Sequence, residues 1–260
     1  VSDGLAGSDD DTITVTVTVQ DVNEAAPVFG DGDSASATPN EGQTAVGTYA
    51  ATDADGSATL TYSIVASGTD ATSVDHDLFS VASDTGVLTF ASAPDYEDPG
   101  CGAGNNANVC VVVIKVSDGL AGSDDDTITV TVTVQDLNDE TPSFTSSASP
   151  SIAENVQNVV VLAASDADDS DTVTFAITGG ADQTKFEIDG GTQLRFKTAN
   201  IPDYESSTAA GGAQEYVVEV TASDSAGSAN TATQTITVTI TDANEAAPVF
   251  ADGDSASATP

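Results

Sequence analysis

Basic side chains are nearly missing from this sequence: Lys and Arg number 4 against 42 Asp and Glu in 260 residues, a net charge of -38. A surface this acidic repels phosphodiester backbones and anionic headgroups, which excludes nucleic acid and a charged membrane face as partners. Trp and Met are absent and aromatic residues make up 5%, so a sugar-cleaving cleft has little from which to build stacking platforms. No run of 18 apolar residues occurs, so this segment holds no membrane-inserting helix. A single His, His76 in the loop-like VDHDLF, has no nucleophile or metal companion, and two cysteines alone make a poor zinc site. The chain reads as a non-enzyme. No cleavable leader opens it and no N-x-S/T sequon occurs, so an export signal is expected outside the segment and N-glycans are not invited. The charged fraction is only 18%, and Val, Ile, Leu and Phe are regularly spaced, which predicts a folded chain despite the acidity.

Internal repetition organises what is present. Val1 to Asp21 recurs unchanged at Val116 to Asp136, and Asp21 to Pro39 recurs at Asp242 to Pro260 with changes only at Val22/Ala243 and Gly30/Ala251. PDYE at Pro94 and Pro202, with TDAD and SDAD at Thr52 and Ser165, marks the middle copies. The expected division is an earlier repeat's tail at 1–20, linkers at 21–26, 136–141 and 242–247, complete repeats at 27–135 and 142–241, and the start of a later repeat at 248–260.

Each repeat reads as about seven short strands. Over Thr127 to Val134, strict alternation puts Ile128, Val130, Val132 and Val134 on one face and Thr on the other, the signature of a half-buried strand. Leu60/Tyr62/Ile64, Phe79/Val81, Leu88/Phe90 and Val111 to Val116 continue the pattern in the first repeat. Val173/Phe175/Ile177, Phe186/Ile188, Leu194/Phe196 and Tyr216/Val218/Val220 do so in the second. Asp84-Thr85-Gly86 and Asp189-Gly190-Gly191 supply turns, and no helical period of useful length appears. The fold class predicted is all-β: tandem immunoglobulin-like Greek-key sandwiches arranged end to end.

Carboxylates are expected at strand ends rather than along solvent faces, which Thr and Ser occupy. Glu41 and Glu154, Asp53/Asp55 and Asp166/Asp168, Asp95/Glu97 and Asp203/Glu205, and Asp118 and Asp224 all fall where strands meet loops. So do the junction runs Asp21-Val-Asn23-Glu24, Asp136-Leu-Asn138-Asp139 and Asp242-Ala-Asn244-Glu245. Oxygen ligands gathered on loops suit a hard cation, since Ca2+ takes about 6 to 8 oxygens in flexible geometry. Asp9 to Asp11 and Asp124 to Asp126 lie outside the pattern and read as solvated turns.

The run Asp136-Leu-Asn138-Asp139-Glu140-Thr-Pro142-Ser-Phe144 resembles the DxNDNxPxF linker of the cadherin repeat family, and the other acids follow the cadherin order over nearly the whole chain. The resemblance implies stacked sandwiches with up to three Ca2+ at each junction. For the junction between the complete repeats it implies Glu41, Asp95 and Glu97 from one repeat, then Asp136, Asn138, Asp139, Asp166, Asp168 and Asp224. It implies half of an earlier junction at Asp21, Asn23, Glu24, Asp53, Asp55 and Asp118, and half of a later one at Glu154, Asp203, Glu205, Asp242, Asn244 and Glu245. The chain departs from the family at the last linker Asn, here Ala25, Glu140 or Ala246. Glu24 and Glu245 stand in place of Asp, and Tyr96 and Tyr204 replace the basic residue of the DRE motif. Without a Trp near a repeat start, no residue carries the strand swap of vertebrate members. The near-identical copies resemble the arrays of very large bacterial surface proteins.

The function implied is an extracellular or cell-surface array that Ca2+ stiffens into a rod, serving as an adhesin stalk or a self-associating filament. Its partners would be other copies or neighbouring repeats, with cell-surface glycans or proteins as further targets. Unoccupied, a close pair of carboxylates repels by about 1 to 3 kcal/mol depending on effective dielectric, so the cation reverses the sign of every such interaction. The alternative reading is a carbohydrate-binding accessory module of a secreted polysaccharide-active protein. In an extracellular setting Cys101 and Cys110, flanking the insert CGAGNNANVC, are expected to form a local disulfide; the matching insert, Ser206 to Gln214, has none.

Overall fold

The computed structural model describes residues 4, 6, 12–20, 22–55, 59–66, 73–101, 108–119, 125–168, 172–210, 214–224 and 230–245. The chain divides into two units, Val1–Gln135 and Asp136–Pro260.

In the first unit, β1 (Val28–Phe29) pairs with β4 (Ala51–Thr52). The larger sheet comprises β2 (Ser34–Ala37), β5 (Thr61–Ile64), β8 (Val109–Ser117) and β9 (Asp126–Thr133), in the order β2-β9-β8-β5. β2 runs parallel to β9, and the other contacts are antiparallel. The second sheet is β3 (Ala45–Thr48), β7 (Val87–Phe90) and β6 (Phe79–Val81), in that order. Alternation fixes the inner faces: Ile128, Val130 and Val132 of β9 and Cys110, Val112, Ile114 and Val116 of β8 are fully buried, and with Tyr62 they meet Phe79, Leu88 and Phe90 of the opposite sheet. The Phe79 and Phe90 rings stack with centroids 4.7 Å apart.

The second unit repeats this plan. β10 (Ser143–Phe144) pairs with β13 (Ala164–Ser165). β11 (Ser151–Ala153), β18 (Thr231–Thr241), β17 (Glu215–Ser223) and β14 (Thr174–Gly179) form the larger sheet in that order, with β11 parallel to β18. The smaller one is β12 (Asn158–Val161), β16 (Gln193–Phe196) and β15 (Phe186–Asp189). Leu194, Phe186 and Phe196 pack on Tyr216, Val218, Ile236 and Val238, and the Tyr216 ring stands edge-on to Phe196 at 5.1 Å.

Four details differ from the sequence expectations. Each unit shows nine strands among the described residues, because two-residue pairs show no measurable period. Three-residue 3-10 turns occur at His76–Leu78, Gln183–Lys185 and Thr198–Asn200, and no helix is long and apolar enough to cross a membrane among the described residues. His76 opens the first turn half-buried, with Nε2 3.2 Å from Asp77. Carboxylates also enter strands: Glu187 and Asp189 lie on β15, where each sits 2.9 Å from Arg195, and Glu215 and Glu219 lie on β17. Neither turn acid described next to Asp124 is merely solvated. Asp125 pairs with Lys115 at 2.8 Å, and Asp126 accepts the Phe29 amide at 2.9 Å; Asp9 to Asp11 and Asp124 lie outside the described residues.

Candidate metal centre

Each unit gathers carboxylates at both ends of its strands. At one end of the first unit the loop after β4 folds back on itself, with Asp53 Oδ1 accepting the Asp55 amide at 2.8 Å. Asp55 Oδ2 in turn accepts the linker amides of Glu24 and Ala25 at 2.9 and 2.8 Å. Asn23 Nδ2 donates to Asp118 Oδ2 at 2.7 Å. In these bonds Asp53 and Asp55 each engage one carboxylate oxygen, and Asn23 engages its amide nitrogen. Asp53 Oδ2 and Asn23 Oδ1 are buried without a hydrogen-bond partner among the described residues. Asp21 lies outside the described residues.

The second unit builds the same arrangement. Asp166 Oδ1 accepts the Asp168 amide at 3.2 Å, and Asp168 Oδ2 accepts that of Glu140 at 3.1 Å. Asp224 Oδ2 accepts the Asn230 amide at 3.0 Å, while Asn230 Nδ2 donates to Asn138 Oδ1 at 3.3 Å. Asp166 Oδ2, Asp168 Oδ1 and Asp224 Oδ1 are left buried and unpartnered among the described residues. Burial, with added repulsion from Asp166 and Asp136, pushes the Asp168 carboxyl up to about 6 against the pull of the Glu140 and Asp139 amides.

At the other end of the first unit, Glu41 is buried and takes the Tyr96 amide on Oε2 at 2.6 Å. Asp95 Oδ1 accepts the Glu97 and Asp98 amides at 3.1 Å each. In the second unit Glu154, 2% exposed, takes the Ala243 amide at 2.8 Å and the Tyr204 amide at 2.7 Å. The Ala243 amide, then that of Tyr204, holds the Glu154 carboxyl below its ordinary value, so it stays ionised. Asp203 Oδ1 accepts the Ser206 amide at 3.0 Å. Glu154, Asp203 and Glu205 bring one oxygen each within 4.8 Å of the others. Glu205, Asp242, Asn244 and Glu245 line a concavity of about 210 Å³ beside them. The Glu245 carboxyl is raised by burial and then by Glu154, Glu205, Asp242 and Asp203.

The four basic side chains bond elsewhere: Lys115 to Asp125, Lys185 to Asp182, Arg195 to Glu187 and Asp189, and Lys197 to the Thr184 carbonyl. Buried oxygens normally find a donor. Here five of them have no donor among the described residues, two in the first unit and three in the second, and the hard oxygens around them fit Ca2+ and suit a soft or nitrogen-seeking metal poorly.

A model of the cadherin domain matches residues 34–135 and 149–241. The chain belongs to the cadherin domain family. It is 30% identical over 253 residues to human protocadherin Fat 1, covering 93% of this chain and 5% of that protein, so the sequence spans a small part of its relative's length. Among solved structures, the protocadherin GammaB4 extracellular domain superposes with a TM-score of 0.65 at 24% identity, covering 90% of this chain and 35% of that one. Mouse cadherin-23 EC22-24 gives 0.62 at 21%, covering 86% and 67%. Both likenesses concern the fold.

Sequence reading missed two buried carboxylates outside these clusters. Asp75 and Asp182 sit at matching places before the 3-10 turns, where Asp75 Oδ2 accepts the Val111 amide at 2.8 Å and Asp182 Oδ2 the Val217 amide at 3.0 Å. The recurring spacing Asp75…Phe79 and Asp182…Phe186 was the available signal.

Proposed function

We propose that this chain is a calcium-binding, non-catalytic segment of an extracellular adhesion array, whose repeats become a stiff rod when Ca2+ fills the junctions, at up to three ions each. The observation that carries the reading is the set of oxygens on Asn23, Asp53, Asp166, Asp168 and Asp224 that are buried and unpartnered among the described residues. In the cadherin family such residues hold calcium between consecutive repeats. Glu41, Asp95, Glu97, Asp136, Asn138, Asp139, Asp166, Asp168 and Asp224 are the ligand set proposed for the complete junction. Asp21, Asn23, Glu24, Asp53, Asp55 and Asp118 serve the earlier junction, and Glu154, Asp203, Glu205, Asp242, Asn244 and Glu245 the later one.

The residues divide the work. Asp55 and Asp168 fix the linker by accepting its amides, while Asp53 and Asp166 hold their second oxygens free by spending the first on a local turn. Glu41 and Glu154 anchor the DYE segments through Tyr96 and Tyr204. Bound Ca2+ supplies the positive charge that lets these anions share one place. Other copies of the chain are the partners this reading favours, because an array repeats any one contact many times.

Small-angle scattering with millimolar Ca2+ and again with EGTA tests the proposal. The expected result is a longer, stiffer particle with calcium, and no difference between the two conditions in Asp136→Ala/Asp139→Ala. A maximum dimension that chelation leaves unchanged in the unaltered chain overturns it.

A further inference from the structure

The arch that carries the DYE acids is fastened differently in the two units. In the first, residues 91–101 leave β7 at Phe90, pass Asp95 and Glu97, and end at Cys101, which is disulfide-bonded to Cys110 on β8 with Cα atoms 4.8 Å apart. Cys110 pairs with Val132 in the sheet and Tyr216 pairs with Val238, so Tyr216 holds the place of Cys110 in the second unit. There the arch has no cysteine. Instead the Tyr216 hydroxyl accepts the Thr208 amide at 3.3 Å, Lys185 Nζ donates to the Thr208 carbonyl, and Asp182 Oδ1 accepts the Ala210 amide at 2.8 Å. Lys185 is itself tied to Asp182 at 2.9 Å and lies 5.0 Å from the Tyr216 ring centroid. Leu78 stands where Lys185 stands, each donating its amide to the preceding buried Asp, so the first unit has no counterpart of the ammonium.

Upstream anchors are shared. Pro94 O and Pro202 O accept the amides of Gly42 and Asn155, and Tyr96 O and Tyr204 O accept the side-chain amides of Asn108 and Gln214. Beneath the first arch, Leu78, Phe90, Pro94, Asp98, Gly100 and Cys101 border a cavity of about 360 Å³. Cys101 is itself buried in the first unit's core and Tyr96 packs against that core, so the covalent bond ties the far end of the arch to β8. The cavity is also large enough to admit a small dithiol to Cys101.

We infer that the Cys101–Cys110 bond and the Lys185–Thr208–Tyr216 contacts are alternative staples positioning the same carboxylate arch, so that a dithiol reductant loosens cation binding at Asp95 and Glu97 while leaving Asp203 and Glu205 unchanged. The exchange is balanced: the dithiol gives two electrons and two protons, becomes a cyclic disulfide, and leaves two cysteine thiols. Lys185 and Tyr216 are positioning residues, since neither is a proposed ligand. The inference rests on the calcium reading above.

The test is a Ca2+ titration of the full chain followed by the amide resonances of Tyr96 and Glu97 in the first unit and Tyr204 and Glu205 in the second, with and without dithiothreitol. Loss of a staple is expected to weaken binding about fivefold or more at the arch it fastens, the lower end of usual coupling between sites. Dithiothreitol should shift the Tyr96 and Glu97 midpoints and spare the others. Lys185→Met, which keeps the aliphatic stem, should do the reverse, and Cys101→Ala/Cys110→Ala should bind like the reduced chain and ignore dithiothreitol. If all four amides titrate with calcium and neither reductant nor Lys185→Met moves a midpoint, the staple inference fails and the calcium reading stands. Equal shifts in both units under dithiothreitol also overturn it. If no amide responds to calcium, both fall.

Discussion

Lowering the pH should disarm the second unit's Asp166–Asp168–Asp224 cluster well before ordinary carboxylates protonate. Asp168 is 6% exposed and its carboxyl is pushed up to about 6, chiefly by burial, so at pH 7 it is mostly ionised and at pH 5 mostly protonated. A ligand that must lose a proton to bind competes with that proton. At pH 5 the proton is favoured about ten to one, so the apparent affinity should be about tenfold weaker than at pH 7. A carboxylate at the ordinary 3.8 would lose less than about a tenth over the same interval. The ion-free chain has the opposite dependence. Because the folded-state value lies above the unfolded one, the folded state holds the extra proton, and stability from Asp168 declines as pH rises from about 4 to about 6. The carboxyl carbon resonance of Asp168 measures its titration directly, and the Glu140 amide, hydrogen-bonded to Asp168 Oδ2, reports calcium binding nearby. Asp168→Asn should bind more weakly at pH 7 and lose the steep fall between pH 7 and 5. A carboxyl that titrates near 4, or an affinity that is flat over this interval, refutes the reasoning.

Two further predictions concern the scaffold. Leu194 is fully buried between Val160 and Ile188, so Leu194→Ala should cost about 2 to 5 kcal/mol by urea denaturation; a loss below about 1 kcal/mol would mean that the smaller sheet does not pack as described. Gly180 has φ +96 and a Cβ there would meet Val218 Cα at 2.5 Å, whereas Gly190 has φ +57 and open space around it. Gly180→Ala should therefore destabilise the fold by at least about 1 to 3 kcal/mol, and by more than Gly190→Ala in the same denaturation assay; the reverse order contradicts the backbone geometry.

Long strands and end-clustered acids were legible because both leave regular marks: a period of two in Thr127 to Val134, and recurring pairs such as Asp53/Asp55 and Asp166/Asp168. What stayed hidden has no such mark. A carboxylate that accepts buried amides, as Asp75 and Asp182 do, has the same local sequence as one in a solvated turn. The β15 carboxylates were unexpected because their partner, Arg195, is brought alongside by the sheet register rather than by the chain. The arch is a further case, since Cys110 and Tyr216 look unrelated until strand pairing gives them the same place.

The repeated octapeptide shows how far this goes. Thr127 to Val134 and Thr12 to Val19 are identical in sequence. In the first copy Ile128, Val130, Val132 and Val134 are 0 to 1% exposed, and residues through Thr133 form β9 between β2 and β8. In the second, Ile13, Val15, Val17 and Val19 are 71 to 89% exposed, and residues 12–20 carry no strand. Intrinsic preference is the same in both, so the whole difference comes from neighbours. Burying four such side chains is worth about 1.5 to 3 kcal/mol each, or about 6 to 12 in all, which is comparable with the net stability of an entire small domain. Alternation therefore specifies which face will be buried, while the partner strands decide whether it is. The metal clusters follow the same logic: loop spacing nominates the oxygens, and the paired strands beneath bring Asn23 to Asp118 and Glu154 to Ala243 across 95 and 89 residues of chain.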